Sequence, residues 1–131
     1  MRELVVDGKV IARDGPAYVI AEIGNNHQGD LEKAKALIHA AKECGVDAVK
    51  FQKRENRVLF TRAYYEAPYD NENSYGSTYG EHREFLELPK SDWFELSSYS
   101  REEGVAFVSA AFDEPSADLM ADLNVDAFKF A

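Results

Sequence analysis

The chain has 131 residues, 45% hydrophobic and 30% charged, which is enough apolar material for the core of one small globular domain or of part of a larger one. A formal net charge of −9 argues against nucleic acid or an anionic membrane as the main partner. The single cysteine, Cys44, excludes an internal disulfide, and no stretch has the apolar length of a membrane span or of a signal peptide. We therefore expect a cytoplasmic protein without a membrane partner.

The N-terminal residues 1–15 predict a β-hairpin. Residues 4–12 alternate apolar and polar side chains around Asp7-Gly8, a strong turn signal. The apolar run 17–23 that follows predicts the first core strand.

The first helix is predicted from Leu31 to Cys44, where apolar residues recur at helical spacing. Asp30 is a suitable N-cap, and Gly45 supplies the left-handed conformation that commonly ends helices. The second core strand, 46–52, starts directly after this glycine.

Residues 53–90 differ from the rest of the chain. They are rich in Tyr, Asn, Gly and charged residues and show no long period, apart from a possible short helix over 81–88. A connection of this length is usually functional or contains short elements. We interpret residues 53–90 as a long loop on the active-site side of the fold.

The C-terminal part alternates helices and strands again. Residues 91–103 predict a helix capped by Ser91, and strand 105–110 follows. A third helix is predicted over 115–123, because proline is favoured in the first helical turn, and strand 125–131 completes the pattern.

This order of elements predicts an α/β fold with a parallel sheet and right-handed crossovers. Four strands and three helices cannot close a (β/α)₈ barrel, which typically takes about 250 residues. The alternatives are an open α/β sheet and the N-terminal half of a TIM (β/α)₈ barrel that carries an N-terminal hairpin. We favour the half barrel, with residues 1–131 as a single incomplete barrel domain.

The second and fourth strands carry nearly the same sequence, Val-Asp-Ala-Val-Lys-Phe and Val-Asp-Ala-Phe-Lys-Phe. Side chains alternate between the two faces of a strand, so Lys50 and Lys129 share one face, and Phe128 and Phe130 pack outward under helices. Glu22 lies near the end of the first strand. The three charged groups could converge at the C-terminal mouth of a barrel as an anion site, or form an internal ion pair without chemistry.

Other polar residues follow the strands at this mouth. Asn26 and His27 come directly after the first strand, and Ser109 and Asp113 lie at and after the third. Asp113 is expected to cap the next helix, and a lone histidine is more often a polar loop residue than a metal ligand. The sequence shows no convincing metal-ligand cluster, no Walker loop and no GxGxxG motif.

The stretch VIAEIGNNHQGDLEKAKALIHAAKECGVDAVKFQ resembles the start of the sialic acid synthases, the family of N-acetylneuraminate, legionaminate and pseudaminate synthases. The stretches YGEHREFLEL, GVAFVSAAFDEPSADLM and VDAFKFA follow in the order expected for that family. The resemblance implies a (β/α)₈ barrel that condenses phosphoenolpyruvate with an N-acylated amino sugar such as N-acetylmannosamine, giving a nine-carbon 2-keto acid and phosphate. It also implies a homodimer for the full-length enzyme.

The same resemblance implies roles for individual residues. Lys50 and Lys129 would bind phosphoenolpyruvate, and Glu22 would act on the sugar or on the attacking water. The sugar side would be lined by Gln52 and by the loop that carries Asn26 and His27.

One motif departs from the family. The Ser-Thr-Pro-Phe usual after the third strand is Ser109-Ala110-Ala111-Phe112 here, so Ser109 remains a substrate-binding candidate and the threonine hydroxyl is missing at Ala110.

The resemblance implies a divalent Mn²⁺ or Mg²⁺ ion, whose ligands are expected beyond residue 131, so the 131 residues alone are expected to be inactive. Two alternatives stay open. One is another phosphoenolpyruvate-condensing barrel of the octulosonate or heptulosonate synthase type, and the other is a non-catalytic α/β module that binds an anion or a partner.

Overall fold

The computed structural model describes residues 3–131 and has an α/β fold. Its strands are β1 (Leu4–Val6), β2 (Lys9–Ile11), β3 (Ile20–Gly24), β4 (Ala48–Lys53), β5 (Ala106–Ala111) and β6 (Ala127–Phe130). Its helices are α1 (Leu31–Glu43), α2 (Asn56–Leu59), α3 (Arg62–Tyr65), α4 (Tyr79–Phe85), α5 (Lys90–Glu103) and α6 (Glu114–Asp122). Within residues 3–131, no helix combines the length and the apolar character needed to cross a membrane.

The predicted hairpin is confirmed. β1 and β2 pair antiparallel with Val6 opposite Lys9, and the turn residues Asp7 and Gly8 both have positive φ, at 45° and 72°. This backbone matches the primed turn that suits the twist of a two-residue hairpin.

The four predicted core strands form one parallel sheet in the order β3-β4-β5-β6, which confirms the α/β prediction. Neighbours in the sheet are neighbours in the chain, as in a barrel wound in one direction. β3 starts at Ile20 rather than at residue 17, and a register irregularity separates Glu22 from Gly24.

The strands β4 and β6 start two residues later than predicted, and the aspartate of each repeated Val-Asp-Ala motif binds the backbone at the beginning of the neighbouring strand. The Asp47 carboxylate accepts from the backbone N–H of Val19 at 2.6 Å, and that of Asp126 accepts from Phe107 at 3.1 Å. Each side chain satisfies a strand-start N–H that would otherwise lack a partner. Part of the repeat is therefore structural.

The first residues of three helices are fixed by their N-caps. Asp30 caps α1 by accepting from the Lys33 N–H at 2.9 Å, and Asp113 caps α6 by accepting from Ser116 at 2.8 Å, both as predicted. The prediction that Ser91 caps α5 is wrong. This helix begins at Lys90 with Pro89 as its N-cap, so Ser91 already lies inside the first turn.

The main core lies between the sheet and the helices. Val49 and Phe51 on β4 are fully buried. The centre of the Phe51 ring lies 6.0 Å from that of Trp93 on α5 and 5.3 Å from that of Phe107 on β5. On β6, however, Phe128 and Phe130 are 52% and 85% exposed. The prediction that they pack under helices is wrong for the described residues, because no helix there covers that face of β6.

Residues 53–90 are not a featureless loop. They contain α2, α3, α4 and a bridge between Pro68 and Thr78. The predicted helix over 81–88 is instead α4, fixed by a capping box in which Thr78 and Glu81 each bind the other's backbone N–H.

Candidate functional site

The face of the sheet opposite the main core carries the charged residues. Register pairs Glu22 with Lys50 and Lys50 with Val108, and it pairs Gln52 with Ala110 and Ala110 with Lys129. Paired residues in a parallel ladder point to the same side. The structure therefore brings Glu22, Lys50, Gln52 and Lys129 to one face, which we call the polar face.

A Glu–Lys ion pair is the central contact of this face. Lys50 Nζ lies 2.8 Å from Glu22 Oε2, and their side chains are 24% and 48% exposed. A half-exposed pair of this kind adds little to stability, since solvent screens the attraction. The ammonium group remains accessible to an anion from the open side.

Lys129 is on the same face but two strands away. One strand, β5, separates β6 from β4, which puts the strand axes about 10 Å apart. The intervening side chains at these levels are Val108 and the small Ala110. The two lysines therefore lie on one face at neighbouring levels of the sheet, with only short side chains between them.

A hollow of about 520 Å³ opens beside this face. Its floor includes Glu22, Gly24 and Gln52, and its far wall comes from residues 53–90 and the β3–α1 loop. The remaining lining residues are mostly polar or aromatic: Asn25, Asn26, Gln28, Tyr69, Asn73, Tyr75, His82, Arg83 and Leu86. The hollow therefore offers hydrogen-bonding groups and ring faces, the combination that suits a sugar.

The two loop candidates Asn26 and His27 are separated by the fold. Asn26 lines the hollow, where its side-chain amide donates to the Ile23 carbonyl at 2.8 Å. His27 is fully buried, and the centres of its ring and of the Phe51 ring are 5.9 Å apart. Its Nδ1 accepts from the Gly29 N–H at 3.1 Å. Burial lowers the pKa of His27 to about 4, so the imidazole is neutral at pH 7.

Ser109 is likewise not brought to the polar face. It pairs in register with Phe51 and Phe128 on the side of the main core, is 1% exposed, and its hydroxyl donates to the Ala110 carbonyl at 3.4 Å. Asp113 acts as the helix cap described above, and its second oxygen accepts from the Glu55 N–H at 2.7 Å.

Sequence reasoning missed two arginines beside the hollow. Arg54 donates to Asn25 Oδ1 at 2.9 Å and to Gln52 Oε1 at 2.8 Å, and Arg83 donates to the same Asn25 oxygen at 3.2 Å. The Arg54 guanidinium also lies 3.6 Å from the centre of the Phe112 ring. The position of Arg54 two residues after Gln52, at the end of a core strand, was the available signal.

The residues that the structure describes do not make a metal centre by themselves. Between residues 3 and 131, no three His, Cys, Asp or Glu side chains group closely enough to hold an ion. His27 is buried and His82 lies among the aromatic residues of the hollow, so neither joins Glu22 as a ligand set.

A parallel sheet wound in chain order, with a polar face beside a hollow at its carboxyl edge, is typical of a chain of the (β/α)-barrel class. Within that class, the chain belongs to the NeuB family, whose profile matches residues 37–131. The resemblance to sialic acid synthases is thereby confirmed at the level of the family.

Named relatives share much of the chain. It is 44% identical over 122 residues to N-acetylneuraminate-9-phosphate synthase of Mus musculus, covering 93% of this chain and 34% of that protein. It is 42% identical over 113 residues to N,N'-diacetyllegionaminic acid synthase of Legionella pneumophila, covering 86% of this chain and 32% of that protein. The chain thus spans about a third of the length of these relatives.

Solved structures agree on the fold. The N-acetylneuraminic acid synthetase of Leptospira borgpetersenii, solved in complex with citrate, superposes with a TM-score of 0.78 at 23% identity, over 98% of this chain and 41% of that one. The spore coat polysaccharide biosynthesis protein of Bacillus subtilis superposes with a TM-score of 0.71 at 35% identity, over 98% of this chain and 33% of that one. The chain therefore has the fold of a portion of these TIM-barrel enzymes.

Proposed function

We propose that this chain is part of the barrel of a sialic-acid-type synthase that condenses phosphoenolpyruvate with an N-acylated amino sugar. In this reaction the methylene carbon of phosphoenolpyruvate bonds to the aldehyde carbon of the sugar, water adds at the enol carbon, and phosphate leaves. The products are a nine-carbon 2-keto acid and phosphate.

The observation that carries the proposal is the Glu22–Lys50 pair on the same face as Lys129. Phosphoenolpyruvate is highly anionic, and fixed ammonium groups in a partly desolvated site stabilise its charge before and during reaction. Lys50 and Lys129 would each hold one end of the molecule, one nearer the carboxylate and one nearer the phosphate. Ala110, which lies on the same face between β4 and β6, has a small side chain that leaves space for the substrate, but it supplies no hydroxyl to bind it.

Glu22 is the proposed catalytic residue. Its carboxylate lines the hollow and contacts Lys50, so it can meet both substrates. A carboxylate held there can orient the sugar aldehyde or the attacking water and exchange a proton with it.

The sugar is proposed to occupy the hollow. Gln52 and Asn26 would bind its hydroxyl and N-acyl groups, and the rings of Tyr69 and Tyr75 would pack on its apolar faces. His27 and Ser109 are proposed only as groups behind the site, because both side chains are buried on the core side.

The divalent metal implied by the resemblance would polarise the sugar aldehyde. Residues 3–131 supply no grouped ligand set for this ion. We also propose that the intact enzyme is a cytoplasmic homodimer, and that residues 1–131 alone do not catalyse the reaction.

The experiment is an assay of the intact protein for phosphate release and keto-acid formation from phosphoenolpyruvate. N-acetylmannosamine, with and without a terminal phosphate, is compared with arabinose 5-phosphate, and the isolated 131 residues are assayed in parallel. Turnover with an N-acylated sugar supports the proposal. Turnover with arabinose 5-phosphate alone, or no turnover with any sugar, contradicts it.

A further inference from the structure

The Arg54 guanidinium holds two side-chain amides at the edge of the hollow. Its Nη1 donates to Asn25 Oδ1 at 2.9 Å, and its Nη2 donates to Gln52 Oε1 at 2.8 Å. The guanidinium also lies over the Phe112 ring, 3.6 Å from the ring centre. A planar fork that is held at three points can turn little, so the two amides bound to it are fixed as well.

The chemistry of the guanidinium decides which way the Gln52 amide faces. A guanidinium has only N–H donors, so it can bind only the oxygen of an amide. Gln52 Oε1 is therefore turned toward Arg54, and the NH2 group of the same planar amide points away from it. Without a cation at this position, the amide could present either its oxygen or its NH2 group to the hollow.

The NH2 group of Gln52 lies beside an open space over Gly24. A methyl group placed on the Gly24 Cα would have Gln52 Nε2 at 3.5 Å and Glu22 Oε1 at 3.6 Å as its nearest neighbours. All three residues line the hollow, and distances of this size leave room for an atom of a ligand. Such an atom is within reach of a donor from Gln52 and of an acceptor from Glu22.

Asn25, the other amide that Arg54 binds, already uses both ends of its amide within the protein. Its Oδ1 accepts from Arg54 and, at 3.2 Å, from Arg83, and its Nδ2 donates to the Leu86 carbonyl at 3.4 Å. Within residues 3–131, the hydrogen bond of the Gln52 side chain is the one to Arg54, which uses only its oxygen. Gln52 is therefore the amide whose donor a ligand can use.

We propose that Arg54 is a positioning residue, which turns the Gln52 amide so that its NH2 group donates to a sugar hydroxyl over Gly24. The same hydroxyl donates to the Glu22 carboxylate, because a hydroxyl is both a donor and an acceptor. This inference rests on the proposed function, since it assigns the sugar to the hollow. Arg54 then acts on the binding of the sugar, and it does so through Gln52.

The test is a double-mutant cycle in the intact protein, made of R54M, Q52M and the variant that carries both changes. The sugar is N-acetylmannosamine, with or without a terminal phosphate as the wild type requires. The KM of the sugar and kcat are measured at saturating phosphoenolpyruvate, and the KM of phosphoenolpyruvate at saturating sugar. R57M is the matched control, because Arg57 also lies over a ring, that of Tyr65, but its side chain is 72% exposed and does not line the hollow.

R54M should raise the KM of the sugar by about 2- to 10-fold, since the sugar must then order a flexible Gln52 side chain. Q52M should raise it at least as much, and the double variant should match Q52M, because Arg54 acts through Gln52. R54K should give an intermediate value, since an ammonium group lacks the planar fork. The KM of phosphoenolpyruvate should stay close to the wild-type value, and R57M should behave as the wild type.

Three results would overturn the inference. The first is a sugar KM that R54M leaves unchanged, even if kcat falls, because a water molecule rather than a sugar hydroxyl would then lie over Gly24. The second is an R54M effect that simply adds to that of Q52M. The third is an equal rise in the KM of both substrates, which would indicate a structural role for Arg54. If R54M does not fold, the same cycle with R54K decides.

Failure of the proposed function looks different, because the wild type then turns over no sugar. Crystal structures of the intact wild type, R54M and R57M still test the positioning role. The Gln52 side chain should leave its place beside Gly24 in R54M and keep it in R57M. A Gln52 side chain that stays in place without the guanidinium overturns the inference.

Discussion

The two faces of β4 illustrate how one strand serves two purposes. On one face, Val49 and Phe51 are fully buried beneath the helices, whereas on the other Lys50 and Gln52 are only half-buried and line up with Glu22. Burial of large apolar side chains stabilises the fold, while the polar face gains little stability from its ion pair. Alternate positions in a single strand should therefore respond differently to substitution.

The largest effect is expected on the core face. Phe51→Ala removes a ring that packs against Trp93 and Phe107, and it should lower the free energy of unfolding by about 3–5 kcal/mol. Urea unfolding of the intact protein measures the loss. Phe94→Ala on α5 is the control, because Phe94 is 44% exposed, and its cost should be about 1 kcal/mol or less. Equal losses for the two variants would contradict the assignment of Phe51 to the core.

The neighbouring residue on the polar face should show the opposite pattern. Lys50→Met removes a cation proposed to bind phosphoenolpyruvate, so kcat/KM of the intact enzyme should fall about 10²- to 10³-fold. Its free energy of unfolding should change by less than about 1 kcal/mol, since the pair with Glu22 is half-exposed. Lys42→Met, at the exposed end of α1, is the control. An active K50M enzyme would remove Lys50 from the proposed site.

Much of the division between the core face and the polar face of the sheet could be predicted from the sequence. The repeated Val-Asp-Ala motif indicated parallel strands, and the alternation of side chains indicated that Lys50 and Lys129 share a face, as the register shows. The same alternation separates Ser109 from Ala110. It cannot tell which face of an all-apolar strand such as β5 is the core, so the burial of Ser109 required the structure.

The contribution of residues 53–90 could not be predicted in the same way. Their helices are too short to show a clear period, although the capping box of Thr78 and Glu81 was a local signal that could have placed the start of α4. Arg54 and Arg83 are far apart in the chain, and only the fold of this segment brings both to Asn25. Short-range patterns carry no information about such contacts.

His27 was predicted for the functional site, but it packs against Phe51 on the core face of β4. Burial lowers its pKa to about 4 from 6.5, so between these values the unfolded chain binds more protons than the folded one. Stability from this group is fully present above about pH 6.5 and is lost as the pH falls toward 4, by up to about 3 kcal/mol.

Unfolding measured from pH 7 to pH 4 tests the buried position of His27. His27→Asn keeps an acceptor for the Gly29 N–H but does not titrate, so the stability of this variant should fall less steeply with decreasing pH. His39→Asn is the control, because His39 is exposed on α1. A wild-type slope in H27N would mean that another group causes the pH dependence.

The smallest effect is expected where the core meets residues 53–90. The Asp113 carboxylate caps α6 through Ser116 and also accepts from the Glu55 N–H at 2.7 Å, so Asp113→Ala should lower the free energy of unfolding by about 1–2 kcal/mol. Asp118→Ala, at an exposed position of the same helix, should change it by about 0.5 kcal/mol or less. Asp113→Asn keeps one acceptor oxygen, which can serve either Ser116 or Glu55 but not both, and should recover only part of the loss. If D113A and D118A unfold at the same urea concentration, Asp113 does not link the segment to the core.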